Sequence, residues 1–191
     1  MSAIPVFDLG VWNAWIFMIW LVIPFFLWPL KIIPEDREKG SDFTADFSKM
    51  QKNALISLHI IYLVLVIYSV FVPLKLASAW FYIGLPISLL GLVPYVMVFV
   101  GFATTSPDKP ITRGIYRYSR HPMYVAPFLA FLGVGIAIAS WIFLLLSIVY
   151  MIMPLLFVEA EESFCLKQYG NIYRKYVNRT PRWIGIPKSI K

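Results

Sequence analysis

Hydrophobic residues in this chain run in long blocks and do not alternate with polar ones. Five blocks reach or approach the roughly 20 apolar residues that a membrane-spanning helix needs: residues 11–30, 54–74, 77–103, 123–139 and 140–158. The last two are short and have no polar loop between them, which predicts a tight helical hairpin turning near Ala139, Ser140 and Trp141. The first block lacks a basic leader and is not followed by a small-residue cleavage site, so it reads as a span and not as a cleaved signal. The expected fold is all-α: one integral membrane domain over residues 1–191, with five transmembrane helices and a cytosolic helical tail.

Composition agrees. The chain is 60% hydrophobic and 14% charged, whereas soluble domains are about half apolar and about a quarter charged. A disordered chain, a disulfide scaffold and an ordinary cytosolic enzyme are excluded. Cys165 has no partner for an intrachain disulfide, and Cys165, His59 and His121 offer no metal-ligand spacing.

The net charge of +7 could suggest nucleic acid, but its distribution points to a membrane instead. With five spans, sixteen Lys and Arg fall in the 31–53 loop, the 104–122 loop and the tail, leaving Lys75 alone on the other side. The positive-inside rule then puts the N-terminus outside and the C-terminus in the cytosol. Pro24, Pro86, Pro94, Pro127 and Pro154 fall at membrane depth. They fit either tolerated kinks or helices splayed around a cavity. No internal repeat is visible, which weighs against an inverted-repeat transporter.

Two polar segments on the cytosolic side carry candidate chemistry. The first runs from Gly114 through Tyr116, Arg117, Arg120, His121, Pro122 and Met123 to Tyr124, directly into the fourth span. Pro122 suits the first turn of a helix. The amides behind it, at the positive end of the helix dipole, can hold a carboxylate or phosphate. Arg113, Arg117 and Arg120 strengthen that field. The competing reading is an interfacial Arg/Tyr belt.

The second segment holds Glu159, Glu161 and Glu162 at the end of the fifth span. Carboxylates at a helix C-terminus oppose the dipole, so the helix is expected to continue to Tyr169, with Gly170 as its cap. None of the three has a Lys or Arg three or four residues beyond it. Their partner is therefore either the Arg-rich 113–120 loop or a cationic ligand, and both options bring the two segments together. A ligand that is cationic, aromatic and anionic at once, such as S-adenosylmethionine, suits such a pocket.

The run Arg120-His121-Pro122-Met123-Tyr124, a span-length interval, then Glu161-Glu162 resembles the bipartite signature of the isoprenylcysteine carboxyl methyltransferase and phospholipid methyltransferase superfamily of integral membrane enzymes. Gly114 to Tyr118 before it, and Tyr169, Gly170, Tyr173, Tyr176, Pro181 and Arg182 after it, extend the resemblance over about residues 100–185. The resemblance implies an S-adenosylmethionine-dependent methyltransferase with a cofactor-binding core over 104–185. It assigns cofactor contacts to Tyr116, to His121, Pro122, Met123 and Tyr124, and to Glu161 with Glu162; the stretch from about Lys109 to Ile111 is expected to line the adenine side.

Members that methylate carboxylates carry an Arg about a turn before the glutamates, where this chain has Leu155-Leu156-Phe157-Val158. A lipid or lipophilic acceptor with an amine, thiol or hydroxyl is therefore expected. It would attack the sulfonium methyl in line, with no covalent enzyme intermediate. A sterol-type NADPH reductase and a non-catalytic membrane scaffold are the rival readings. His59, inside the second span, is expected to bond across helices. Tyr169, Tyr173 and Tyr176 share a helical face expected to lie on the membrane surface.

Overall fold

The structure, a computed structural model, describes residues 7–27, 43–106 and 108–188. Its helices are α1 (Trp15–Leu27), α2 (Lys49–Phe71), α3 (Ala79–Thr104), α4 (Pro122–Ala137), α5 (Trp141–Ile152), α6 (Val158–Tyr169) and α7 (Asn171–Arg179). Short 3-10 turns occupy Gly114–Arg117 and Met153–Leu156. The described residues contain no strand, only an isolated bridge between Asn13 and Pro73. The C-terminal end of the first expected span and most of the 31–53 loop lie outside the described residues.

By length and apolar composition α2 and α3 can each cross a membrane, and α5 with α6 makes a third candidate, bent by 43°. Helix α4 has 16 residues, about 24 Å of rise. Exposed Ile56, Ile60, Leu63, Leu90 and Val93 give α2 and α3 the greasy outer surfaces expected of lipid-facing helices. Lys49–Phe71 opens with a capping box, Ser48 and Gln51 bonding each other's backbone N–H.

The α3–α4 pair is the densest packing in the molecule, and small residues make it possible. A Cβ placed on Gly91 would lie 2.2 Å from the Ala130 nitrogen, one on Gly133 2.2 Å from the Ser88 nitrogen, and one on Gly84 2.4 Å from the Gly133 oxygen. Gly84, Ser88 and Gly91 thus face Ala126, Ala130, Gly133 and Ala137, so the two backbones nearly touch. Within lipid, where there is little hydrophobic drive for helices to associate, such close approach is what holds them together.

The predicted hairpin is present. Helix α4 closes in a Schellman motif, Ala139 N–H bonding the Ile136 carbonyl at 2.8 Å and Ser140 N–H the Gly135 carbonyl at 3.0 Å. Ala139 takes the left-handed conformation at φ +52°. Ser140 then caps α5 by accepting the Phe143 N–H. Below this turn, Tyr62, Phe131, Phe143 and Tyr150 form the aromatic core, with Tyr62 edge-on to Phe131 at 5.4 Å. Tyr62 and Tyr95 both donate to the Leu21 carbonyl, at 2.7 and 3.2 Å, and tie α1 to the bundle.

Two expectations are corrected. The last span does not run straight to Tyr169. Pro154 sits in the 3-10 turn, Phe157 leaves helical geometry at φ −133°, and a new helix starts at Val158. His59 bonds the Leu55 carbonyl of its own helix at 2.8 Å and no neighbouring helix, because it sits on the exposed side of α2.

Replacing Gly133 with Leu forces a side chain into the Ser88 backbone. Overpacking of this kind costs about 1–3 kcal/mol, and the rigid helix partner sets the expected value at the upper end. The loss is measured as a lowered midpoint of thermal unfolding in detergent.

Candidate active site

The bend at Phe157 positions the acidic segment. Because α6 begins at Val158, Glu159 and Glu161 lie in its first turn, where the helix dipole favours carboxylates. The electrostatic conflict expected for glutamates at a helix C-terminus is thus removed by restarting the helix. Phe157 is fully buried, its ring 5.7 Å from Tyr124 and 6.0 Å from Phe47. This anchor turns α6 back over the start of α4.

Helix α4 begins with His121 as N-cap and Pro122 at its first position, with no side-chain cap. His121, Pro122 and Tyr124 are buried, and they meet the glutamates. The Tyr124 hydroxyl donates to Glu161 Oε1 at 2.5 Å. His121 Nε2 lies 2.9 Å from Glu162 Oε1, and Nδ1 3.5 Å from Glu161 Oε2. The imidazole also stacks toward Tyr124 and tilts against Trp183, ring centres 6.2 and 5.9 Å away. The two segments, separated in sequence by the transmembrane hairpin, therefore share one polar cluster.

The tail completes it. Arg182 grips Glu162 with two N–H donors, Nε at 3.2 Å and Nη2 at 3.0 Å, and reaches Glu159 through Nη1 at 3.1 Å. The Arg120 guanidinium approaches Glu162 Oε2 at 3.4 Å. Backbone bonds stitch the tail to the loop. The Arg120 N–H bonds the Pro181 and Arg182 carbonyls, and Gly185 N–H the Tyr118 carbonyl.

Ile111 and Tyr116 occupy a neighbouring apolar cluster with Val98, Tyr173 and Tyr176, and partly buried Met123 touches both this cluster and the main core. Gly114 starts the turn that presents Tyr116, at φ +61°, a conformation that glycine adopts without strain. The Tyr173–Tyr176 face thus points inward and not onto the membrane surface; the Tyr176 hydroxyl donates to the Tyr116 carbonyl at 2.7 Å. Gly170, at φ +55°, breaks the helix between Tyr169 and Tyr173, so the three tyrosines do not share one helical face. Arg117 is exposed, as an interfacial side chain would be.

Sequence reasoning passed over Glu159 and Trp183 as site residues and took Arg182 only as part of a resemblance. The signal that could have found Arg182 is the lack of a Lys or Arg three or four residues beyond any of the three glutamates, which sequence reasoning takes as calling for the 113–120 loop or a cationic ligand. A pocket of about 340 Å³ lies beside the cluster, lined among others by Glu159, Glu162, Tyr173 and Arg182. That is at the small end of the range of about 300–1,000 Å³ for ligand sites.

Burial alone lowers the affinity of His121 for a proton, but its bonds to Glu161 and Glu162 and their charges prevail and raise its pKa above 6.5. Burial raises Glu162, yet the bonds from His121 and Arg182 and the nearby Arg120 charge bring it below 4.5. Burial and the Glu161 charge push the Cys165 thiol up to about 11, so it stays protonated near neutral pH.

These directions fix a pH window. The stability contributed by protonated His121 is present below pH 6.5 and is lost as pH rises through its raised value. That contributed by ionised Glu162 is present above pH 4.5 and is lost as pH falls through its lowered value. Thermal stability in detergent should therefore fall toward both extremes, and His121→Gln should flatten the alkaline limb while leaving the acid limb in place.

No curated protein matches the chain. Residues 79–172, about half of it, match the family model of the phospholipid methyltransferases. The match starts at the first residue of α3 and ends just inside α7, so it holds both polar segments and the hairpin between them. By that match the chain carries a phospholipid methyltransferase domain and belongs with the superfamily of membrane methyltransferases that its Arg-His-Pro and Glu-Glu segments resemble.

Proposed function

We propose that this protein is an S-adenosylmethionine-dependent methyltransferase that modifies an amine, thiol or hydroxyl of a lipid or lipophilic acceptor at the cytosolic face of a membrane. The observation that carries the reading is the clasp of Tyr124 and His121, at the uncapped start of α4, onto Glu161 and Glu162 at the start of α6. Two largely buried carboxylates, exposed by 13% and 12%, suit a ligand with a fixed positive charge. The aromatic rings of Tyr116, Tyr173 and Tyr176 stand beside them, and such faces suit an adenine. The methyltransferase core is read as 104–185, with Ile111, Tyr116, His121, Pro122, Met123, Tyr124, Glu161 and Glu162 around the cofactor.

When bound, S-adenosylmethionine supplies an electrophilic methyl for in-line displacement by the acceptor. The protein's part is to hold and orient. Glu161, fixed by the Tyr124 hydroxyl, and Glu162, fixed by His121 and Arg182, present charge to an ammonium. The buried rings of Phe157 and Tyr124 exclude water from the reacting atoms. Holding both reactants in attack geometry supplies several kcal/mol, up to about 7–11 in favourable systems. No side chain is assigned as a general base. The stretch Leu155-Leu156-Phe157 offers no cation for an acceptor acid, which favours the uncharged nucleophiles.

The same reading extends to topology. The five apolar blocks are taken as five crossings, with the N-terminus outside and the clasp in the cytosol. The segregation of sixteen basic residues from Lys75 supports it.

Titration calorimetry of the purified protein tests the cofactor. Binding of S-adenosylhomocysteine and not NADPH supports the methyltransferase; the reverse overturns it. Glu161→Gln should weaken that binding by about 1.5–3 kcal/mol, the scale of a hydrogen bond to a charged group. Arg117→Ala should change it less. A labelled-methyl screen against lipid extracts then identifies the acceptor.

A further inference from the structure

Beyond Arg182 the tail presents a surface that the clasp does not use. Ile184 and Ile186 are exposed by 66% and 88%, and Tyr118 by 50%. Single exposed apolar side chains are ordinary, but these three sit together on a segment that is tied down. Gly185 N–H bonds the Tyr118 carbonyl at 3.0 Å, and Lys188 N–H the Arg179 carbonyl at 2.8 Å. A Cβ placed on Gly185 would lie 2.9 Å from Pro181 Cγ. That position therefore faces the protein, and the isoleucines on either side of it face outward.

Cations flank the isoleucines. Arg179 and Lys188 are exposed, as is Arg117 next to Tyr118. Among the described residues none of these three pairs with a carboxylate. Between Arg113 and Lys188 the only acids are Glu159, Glu161 and Glu162, and these are taken by Arg182, Tyr124 and His121. The result is an apolar tip with a basic rim and no acidic side chain of its own.

Helix α4 sets its depth. Tyr118 lies just before Pro122, the first residue of α4, and Trp183 lies against His121 with ring centres 5.9 Å apart. Residues that flank the end of a span lie at headgroup level.

We propose that this surface docks on the anionic headgroups of the bilayer that holds the protein, an inference that rests on the reading of α4 as a crossing. Ile184, Ile186 and Tyr118 enter the boundary between headgroups and acyl chains, while Arg117, Arg179 and Lys188 meet the anionic lipids. A neutral surface would cover the isoleucines and leave the cations unmatched. Arg182 and Trp183 belong to the same segment, so the lipid contact also holds the part of the tail that completes the polar cluster.

The test is hydrogen exchange of residues 183–188 in the full-length protein, in nanodiscs of phosphatidylcholine alone and in nanodiscs with phosphatidylglycerol added. Exchange should be about tenfold slower in the anionic discs, and high salt should shrink the difference. Arg179→Gln combined with Lys188→Gln should remove most of that difference. Ile184→Ser combined with Ile186→Ser should speed exchange in both kinds of disc. All four side chains are exposed, so both variants should keep the wild-type unfolding midpoint in detergent. Equal exchange in the two discs overturns the proposal, as does a difference that survives the charge variant. Protection that grows with the number of copies per disc gives the surface to a second copy and overturns it too. Should Tyr118→Cys and Trp141→Cys react with an impermeant thiol reagent from the same side of sealed vesicles, the crossing by α4 fails and the proposal with it. None of these readouts uses the cofactor, so their failure leaves the methyltransferase reading standing, whereas a failure to bind S-adenosylhomocysteine in either disc would fail that reading alone.

Discussion

A single carboxylate, Glu162, ties together three parts of the chain that are distant in sequence. From its place on α6 it receives His121, with the adjacent Arg120 approaching, at the start of α4, and Arg182 from the tail. Burial makes an unpaired carboxylate expensive, so each partner's position is constrained by the others. Together they raise the pKa of His121 and lower that of Glu162, because each stabilises the charged form of the other. The result is a charge cluster at the end of an apolar bundle, rigid enough to orient a small ligand and polar enough to hold a charged one.

The membrane constraint explains why this cluster sits where it does. Within an apolar bundle, α3 and α4 are held by backbone contact at Gly84, Gly91 and Gly133, and that contact fixes where α4 begins. The hairpin at Ala139 returns the chain, and the break at Pro154 and Phe157 turns it once more. The polar cluster lies where α4 starts and α6 restarts, at one end of the helices, so charged groups need not be buried among apolar side chains. Proline here serves as the device that starts a new helix with its glutamates at the favourable end.

Much of this was legible in the sequence. The hydrophobic blocks placed the helices to within a few residues, because a length of apolar chain has few alternatives. The hairpin at Ala139-Ser140 followed from the absence of any polar loop. The meeting of the Arg-His-Pro and Glu-Glu segments followed from charge balance, since three glutamates with no Lys or Arg three or four residues beyond them need a cation from elsewhere. What stayed hidden depended on geometry that no local pattern encodes. The break before Val158 rests on Phe157 packing against Tyr124 and Phe47. Tyr173 and Tyr176 face inward because Gly170 ends α6 and α7 folds back on the loop. Amphipathic spacing marks that an apolar face is covered; it does not say by what. Arg182 and Trp183 reach the site through a tail whose path is set by backbone hydrogen bonds with Tyr118 and Arg120, beyond the stretch that matches the family.

Hydrogen exchange of the protein in lipid nanodiscs, with and without S-adenosylhomocysteine, reads the clasp most directly, since ligand binding suppresses local opening where the contacts are made. The account predicts that the ligand slows exchange in two separate stretches at once, around residues 114–124 and 158–169, with the hairpin between them unchanged. Protection confined to one stretch, or appearing only elsewhere in the chain, would contradict the claim that these two segments jointly hold the cofactor.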